Sequence, residues 1–369
     1  MRKFENQKPD FLFAITVAGL VFFGIVMISS SSVVISMERF GHNYYYVGQQ
    51  LISLIVGLIA LFITYNLDYR FWRKNSFWLM VVTLILLVLV FVPGIGKAAG
   101  GAHRWIGIGS QWFQPSEIVK LSFIIYLSAW LDRRGEKVQS FILGFVPFSF
   151  LILLVGALIM LQPDLGTMSV IFLTASAIYF SAGANLAHII IGAGGVAVIL
   201  GILIKTAPYR LQRFLVFLNP SADTQGAGYH INQSLLAIGS GGFWGLGFGQ
   251  SKQKYLYLPQ VQTDSIFAVI AEEMGFFRSL MLLAAFAFLG YLGFRIAKNA
   301  PDNFSRLLVV GITTWILVQA FINIGAMLGI LPLTGVPLPF ISFGGSSLII
   351  LLAAVGIILN ISRHAGEKS

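Results

Sequence analysis

Residues 261–294 read VQTDSIFAVIAEEMGFFRSLMLLAAFAFLGYLGF, and this stretch decides the fold class. From residue 265 onward it is a continuous apolar run without period-two alternation, long enough for a helix that crosses a bilayer. Comparable apolar runs of about 20 residues recur along the chain. The stretch also holds three carboxylates, Asp264, Glu272 and Glu273, although the 369 residues include only 14 acidic ones. Any function assigned to the chain has to account for them.

The composition places the chain in a lipid bilayer. It is 57% hydrophobic and 10% charged, whereas a soluble domain averages about 25% charged residues. In lipid only helices and closed barrels satisfy the backbone hydrogen bonds, and long apolar runs favour helices. We therefore predict an all-α integral membrane protein. Residues 1–369 form one domain in this prediction, because no polar segment is long enough to fold separately.

The charge and the chain ends fit the same class. The net charge of +10 is explained by basic loops on the inner side of a membrane, so we expect no nucleic-acid partner. The chain has no cysteine, which excludes disulfides and thiolate metal sites. The first apolar run is too long for the core of a signal peptide, and we interpret it as an uncleaved first span.

We predict ten membrane-spanning helices. Lys and Arg are more frequent in the segments that face inside when the N-terminus is inside, so both termini are expected inside. The segment 132–140 then lies inside and the long loop 205–264 lies outside. The spans cover approximately 11–35, 44–66, 77–93, 115–131, 141–161, 165–183, 186–204, 265–294, 306–328 and 346–362.

Three segments that would face outside are unusual. Residues 94–114 are rich in glycine and aromatic side chains. The loop 205–264 is too long to lack structure, so we expect short helices that lie on the membrane or dip into it. Its run GSGGFWGLGFG (239–249) could allow close backbone packing or bind an anion. Residues 329–347 contain three prolines, and backbone broken at membrane depth lines a cavity or is buried in protein.

Ionisable groups inside spans are candidate functional residues, because each is costly in hydrocarbon without a partner. Asp264 begins the eighth span, where it could be a helix N-cap or a catalytic carboxylate. Glu272 and Glu273 lie about 12–14 Å further along the axis and point in different directions, so the three carboxylates do not form one cluster. Glu272 could face the same cavity, and Glu273 is expected to pair with another helix. Asp164 lies between the fifth and sixth spans.

Three further charged residues are candidates. Glu117 and Lys120 share a helix face at i,i+3 and could form an ion pair. Alternatively, Lys120 could pair with Asp264 on another span. Arg104 precedes Trp105 and could anchor the chain at the membrane interface, or bind a diphosphate in bidentate fashion. The five histidines are scattered and predict no zinc site.

Five motifs in collinear order give the chain a family resemblance. It resembles the SEDS family of bacterial cell-wall proteins (shape, elongation, division, sporulation), which includes FtsW and RodA. The details KQKYLYLP and NPSADTQGAGY favour the division and sporulation branch of FtsW over RodA. The motifs are GAHRWIGIGSQWFQPSEIVKL (101–121), LQPDLGT (161–167), FLNPSADTQGAGYHINQSLLAIGSGG (217–242), LPQVQTDSIFAVIAEEMGF (258–276) and GILPLTGVPLPFISFGGSS (329–347).

The resemblance implies a peptidoglycan glycosyltransferase that polymerises lipid II at the outer face of the cytoplasmic membrane. It implies a class B penicillin-binding protein and other division proteins as partners. Asp264 would be the general base, with Lys120 and Arg104 as cationic support for the diphosphate. Asp264 and Glu117 could hold a divalent cation (Mg or Mn). The implied substrate-binding residues are Arg104, Glu117, Asp164, Gln233 and Ser342.

The sequence departs from the family pattern at three positions. Gln260 stands where Glu is usual, Ser265 where Phe is usual, and Arg278 where a small residue is usual. Two other functions stay open, a transporter that flips lipid II and a non-catalytic division scaffold. Acidic residues at the outer ends of spans favour chemistry over alternating access. The small residues of AAFAFLGYLGF (284–294), with Gly290 and Gly293, predict a partner surface along spans eight and nine.

Overall fold

The computed structural model describes residues 8–99, 102–108, 111–206, 211, 215–219 and 226–364. The chain is mostly helical, as predicted, and its strands form one small antiparallel sheet in the order β1-β2-β3. The strands are β1 (Gly96–Ala99), β2 (Ala102–Ile108) and β3 (Gln111–Phe113). The helices are α1 (Phe11–Ser31), α2 (Val33–Phe40), α3 (Tyr45–Asn66), α4 (Tyr69–Leu89), α5 (Pro115–Arg134), α6 (Val146–Leu161), α7 (Leu165–Ser181), α8 (Leu186–Thr206), α9 (Ala227–Ser240), α10 (Ile266–Lys298), α11 (Asn303–Met327) and α12 (Gly345–Arg363).

The helices support the membrane class without confirming the count of ten spans. Within the described ranges, seven are long and apolar enough to cross a bilayer, and α7 and part of α8 are shorter apolar helices. The first predicted span is divided, because α1 ends at Ser31 and α2 follows. The third begins earlier than predicted, since the Asp68 side chain caps α4 by accepting a hydrogen bond from the Arg70 amide.

Two helices form the centre of the bundle. In the most apolar 18 residues of α11, and likewise of α12, 78% of the residues are buried. α12 packs along α3, and α11 packs between α10, α7 and α5. The side chain of Trp315 on α11 is fully buried. The polar residues Thr313, Gln319 and Asn323 of α11 are therefore enclosed by protein and not by lipid.

α10 is a broken helix. Gly275 has φ 77° and ψ −177°, which interrupts the helical hydrogen-bond pattern. Segment 242–247 supplies the missing partners. Two of its amides donate to the carbonyls of residues 272–273 at 3.0 Å, and two of its carbonyls accept from the amides of residues 276–277 at 2.8 and 3.3 Å. The long loop thus enters the bundle where its backbone completes that of α10, as membrane depth requires.

The glycine run of the loop allows this close backbone contact. A Cβ on Gly241 would lie 2.1 Å from the carbonyl oxygen of Ala271, and one on Gly245 would lie 2.2 Å from that of Glu273. A Cβ on Gly275 would lie 2.2 Å from the Gly245 amide nitrogen. Of the two roles considered for residues 239–249, the structure confirms close packing. The short helix expected in the long loop is also present, as α9.

Candidate active site

Asp264 lies in a turn and does not cap α10. The helix begins at Ile266, its N-cap residue is Ser265, and no side chain caps it. Among the described residues, the Asp264 carboxylate accepts a hydrogen bond from Thr263 Oγ1 at 2.9 Å. The N-cap interpretation of Asp264 is therefore wrong. Its side chain is left available at the edge of a cavity.

The cavity has a volume of about 290 Å³ and both Asp264 and Glu117 line it. It lies between β2, the first turn of α5, the turn before α10, the broken segment 335–344 and the first turn of α12. Amides at a helix N-terminus attract anions, and the cavity adjoins the N-termini of both α5 and α12. The lining residues are Trp105, Gln114, Glu117, Gln260, Thr263, Asp264, Gly335, Pro337, Phe343, Gly344, Gly345, Ser346 and Ser347.

Lys120 pairs with Glu117 and not with Asp264. Its Nζ donates to Glu117 Oε1 and to Gln319 Oε1, each at 2.9 Å, and lies 5.2 Å from the centre of the Trp315 ring. The Lys120 side chain is 2% exposed. The predicted Lys120–Asp264 pair is wrong, because Glu117, one helical turn away on α5, already supplies the counter-charge.

Glu117 has two carboxylate oxygens in different surroundings. Its Oε2 has no hydrogen-bond partner among the described residues, although Oε1 accepts from Lys120. Mg²⁺ is commonly held by one or two carboxylates together with water and substrate phosphates, so Glu117 and Asp264 fit that donor set. Within the described part of the chain, no group of three or more His, Cys, Asp and Glu residues could hold a metal by itself.

Arg104 and Asp164 stabilise the connections around the cavity. Arg104 Nε donates to the Gln162 carbonyl at 2.8 Å, and its Nη2 donates to the Pro163 carbonyl, which ties β2 to the turn between α6 and α7. Asp164 caps α7 by accepting from the Thr167 amide and hydroxyl, each at 2.9 Å. Neither residue lines the cavity. Their predicted contacts with substrate stay predictions.

Ser342 and Gln233 lie outside the cavity lining as well. Ser342 Oγ donates to the Thr263 carbonyl at 2.6 Å and accepts from the Leu338 amide at 2.8 Å. It therefore supports the residue before Asp264. Gln233 is half-buried on α9. Contact of either side chain with substrate remains a prediction.

Two residues that the sequence reasoning missed connect the site to α11. Asn323 Nδ2 donates to the carbonyls of Asp264 and Val336, each at 2.8 Å. Gln319 accepts from Lys120 and donates to the Pro337 carbonyl at 2.9 Å. Both are polar, four residues apart, inside an apolar span. That spacing places them on one helix face and could have identified them, had uncharged polar groups been searched.

Glu272 and Glu273 hold the long loop at the break of α10. Glu272 accepts from Ser251 Oγ at 2.5 Å and from the Lys252 amide at 2.9 Å. The expectation that Glu272 could face the Asp264 cavity is wrong. Glu273 accepts from Lys254 Nζ at 3.0 Å and from Ser30 Oγ of α1 at 2.7 Å. Its predicted pairing with another helix is confirmed.

Gly290 and Gly293 face α11 and do not form the predicted partner surface, while a partner surface along spans eight and nine stays a prediction. A Cβ on Gly290 would lie 2.7 Å from Leu317, and one on Gly293 would lie 2.4 Å from Thr313, both on α11. These small residues let α10 and α11 approach each other, so they are used for packing inside the chain.

A family model described as cell cycle protein, for FtsW, RodA and SpoVE, matches residues 10–367. The chain belongs to this family. The match covers every element that lines the cavity, so the predicted resemblance is confirmed across the whole bundle.

Similar sequences come from the division and sporulation branch. The stage V sporulation protein E of Bacillus subtilis (strain 168) is 42% identical over 362 residues, 98% of this chain and 99% of the relative. A protein of Geobacter metallireducens named "Probable peptidoglycan glycosyltransferase FtsW" is 40% identical over 364 residues, 98% of this chain and 96% of the relative. These names agree with the branch predicted from residues 219–229 and 252–259.

Two solved structures have the same fold. One, described as "Structural coordination of polymerization and crosslinking by a peptidoglycan synthase complex", has a chain with TM-score 0.83 and 28% identity, covering 98% of this chain and 99% of the other. The rod shape determining protein RodA of Thermus thermophilus has TM-score 0.73 and 28% identity, with 97% and 98% coverage. Multi-pass membrane relatives thus share the arrangement of these helices.

Proposed function

We propose that this protein is a peptidoglycan glycosyltransferase that polymerises lipid II on the outer face of the bacterial cytoplasmic membrane. The observation that carries the proposal is the position of Asp264, a carboxylate without a capping role at the edge of a polar cavity beside the broken segment 335–344. The name that relatives of about 40% identity carry, peptidoglycan glycosyltransferase, supports the reaction class. The resemblance supplies the substrate.

Asp264 has the position that a general base needs. Polymerisation joins the 4-hydroxyl of one sugar to the anomeric carbon of another, and the hydroxyl proton must pass to a base within hydrogen-bond reach. Asn323 and Ser342 fix the backbone on either side of the Asp264 Cα, through the carbonyls of Asp264 and Thr263. The side chain can therefore meet the hydroxyl with little reorganisation, while the leaving diphosphate faces the first turn of α12.

Lys120 acts indirectly in this proposal. Its Nζ donates to Glu117 Oε1, so in this proposal Lys120 orients the Glu117 carboxylate at the cavity. A divalent cation, when bound, would be held by Glu117 and Asp264 and would neutralise diphosphate charge. Arg104 would support the same diphosphate only after leaving the carbonyls of residues 162–163 that it now binds.

The partner is proposed on the evidence of the fold and the resemblance. The similar chain of 28% identity comes from a synthase complex in which polymerisation and crosslinking are coordinated. A class B penicillin-binding protein, which crosslinks the strands, fits that description. We place its membrane helix on the lipid-facing side of α10, where Met281 is 70% exposed and Tyr291 62% exposed, since Gly290 and Gly293 face inward.

The test is the Asp264→Asn variant in purified full-length protein, assayed with lipid II alone and with the co-purified penicillin-binding protein. Removal of the base should lower polymerisation by about 10²–10⁴-fold. The variant should fold and bind its partner normally, because Asp264 does not cap α10. Polymerisation at near the wild-type rate would contradict the proposal.

The same preparation distinguishes the two other functions. A lipid II flippase would move labelled lipid II across vesicle membranes and make no glycan strands. A division scaffold would co-purify with its partner and show no activity on lipid II in either form. Wild-type protein that forms strands, together with an inactive Asp264→Asn variant, excludes both as the sole function.

A further inference from the structure

The turn that presents Asp264 is strained. Gln260 has φ 53°, the left-handed region that residues other than glycine rarely adopt. The turn closes through the Thr263 and Ser265 amides, which donate to the Gln260 carbonyl at 3.0 and 3.3 Å. A strained residue of this kind persists only where the surrounding structure fixes it. The groups that hold the turn therefore also hold Asp264.

Side chains from three directions hold this turn. Asn323 of α11 donates to the Asp264 carbonyl, and Ser342 of the broken segment donates to the Thr263 carbonyl. The third is His230 of α9, whose Nε2 lies 2.6 Å from Ser265 Oγ. Of these three contacts, the one from His230 comes from the long loop and not from the central bundle.

The direction of the His230–Ser265 hydrogen bond follows from counting protons. Ser265 Oγ donates to the Pro259 carbonyl at 2.7 Å. A hydroxyl has one proton, so it cannot also donate to His230. His230 Nε2 therefore carries a hydrogen and donates to Ser265 Oγ. The Ser265 side chain is 0% exposed, so water cannot replace a lost donor there.

We propose that His230 is a positioning residue for Asp264. Its Nε2–H group fixes the Ser265 hydroxyl, which in turn fixes Pro259 at the start of the turn, so both ends of the turn are set from α9. The inference rests on the proposed function, because Asp264 is the group positioned. The His230–Ser265 hydrogen bond therefore couples the long loop to Asp264.

The experiment uses three substitutions at His230 that separate donor from acceptor. In His230→Gln an amide N–H can still donate to Ser265. In His230→Glu the ionised side chain can only accept and competes with Pro259 for the hydroxyl proton. His230→Ala removes the bond. The variants are made in the full-length protein with its co-purified partner, and kcat and KM are measured for lipid II polymerisation.

We expect His230→Gln to keep kcat within about threefold of wild type. His230→Glu and His230→Ala should each lower kcat by about tenfold or more and leave KM for lipid II within about twofold. Ser265→Ala should show the same loss, and the Ser265→Ala/His230→Ala double variant should lose no more than either single one. His42→Gln, at an exposed histidine outside the site, is the matched control and should be unchanged.

A kcat within about twofold of wild type for both His230→Ala and Ser265→Ala would overturn the inference, as would a His230→Glu variant as active as His230→Gln. If His230→Glu does not fold, the comparison of His230→Gln, His230→Ala and Ser265→Ala still tests whether kcat depends on a hydrogen-bond donor to Ser265. An inactive Asp264→Asn variant beside fully active His230 variants would contradict this inference alone. An Asp264→Asn variant with wild-type activity would contradict the proposed function itself.

Discussion

Asp264 and Glu117 differ from Glu272 and Glu273 in the groups that their carboxylate oxygens contact. The oxygens of Glu272 and Glu273 bind the loop and α1. Glu117 retains one oxygen without a partner among the described residues, and Asp264 bonds its own neighbour Thr263. Carboxylates kept available in a membrane protein are costly, and such groups are functional candidates. The cavity between them is where chemistry on a polar substrate is expected.

The sequence identified candidate functional residues but not the contacts that those residues make. Asp264, Glu117 and Lys120 were identifiable because charges inside spans are rare. The partner of Lys120 was not identifiable from the sequence. An i,i+3 ion pair within α5 and an ion pair between two spans would offset the cost of burying the Lys120 charge equally well. Gln319 decides between them by adding a second acceptor for Lys120. That contact joins residues 199 positions apart, which no local pattern can reveal.

At the residue scale we predict that Lys120→Ala destabilises the protein and abolishes polymerisation. Removing one partner of a buried ion pair leaves an uncompensated charge and costs about 3–5 kcal/mol. The unfolding temperature in detergent should fall. The Lys120→Ala/Glu117→Gln double variant, which removes both charges, should regain part of the lost stability and remain inactive. A Lys120→Ala variant as stable as wild type would contradict the buried ion pair between Lys120 and Glu117.

At the scale of elements, α10 shows how a loop can complete a helix. Glycine at residues 241, 245 and 275 lets segment 242–247 lie against the break, and Glu272 and Glu273 hold the following residues by side-chain bonds. The glycine-rich run GSGGFWGLGFG (239–249) indicated that its backbone packs closely against another segment. Its partner could not be inferred, because the sequence of α10 continues as an apolar span through Gly275 and shows no break.

We predict that Gly245→Ala destabilises the protein much more than Gly249→Ala. Both residues have positive φ, 82° and 78°, so each substitution costs about 1–2 kcal/mol in backbone strain. Only Gly245, of this pair, also has a backbone atom within 2.2 Å of the added Cβ. Thermal unfolding in detergent measures the difference. Equal losses of stability in the two variants would mean that backbone strain, and not the contact with α10, explains why residue 245 is glycine.

The helix pair α10 and α11 gives a second prediction at this scale. Gly290→Leu should lower the unfolding temperature of the protein even without its partner, because the side chain would collide with Leu317 and overpacking costs about 1–3 kcal/mol. Met281→Trp, on the exposed side of the same helix, is the matched control and should leave stability unchanged. If Gly290→Leu weakened partner capture alone, the inward orientation of Gly290 would be contradicted.

At the scale of the whole molecule, composition and apolar run length predicted the helical membrane class and most helix positions. They did not predict the sheet of β1, β2 and β3. Its segment 94–114 is short, rich in glycine and without clear alternation, so a sheet there depends on pairing that the local pattern does not specify. Helix ends were missed where a cap such as Asp68 or a break such as that after Ser31 moved the boundary.

The last prediction concerns orientation, on which the proposed reaction depends. In the proposed reaction lipid II is polymerised outside, so we predict that the Asp264 end of the bundle faces outside, as the distribution of Lys and Arg also predicts. The chain has no cysteine, so single cysteines report their side unambiguously. Tyr257→Cys lies on the exposed surface seven residues before Asp264, and Glu136→Cys lies on the exposed turn between α5 and α6. In intact cells an impermeant thiol reagent should label Tyr257→Cys, while Glu136→Cys should react only after the membrane is opened. The reverse labelling pattern would place the cavity on the cytoplasmic side, where there is no glycan strand to extend. The proposed polymerisation would then be impossible, whatever the chemistry of Asp264.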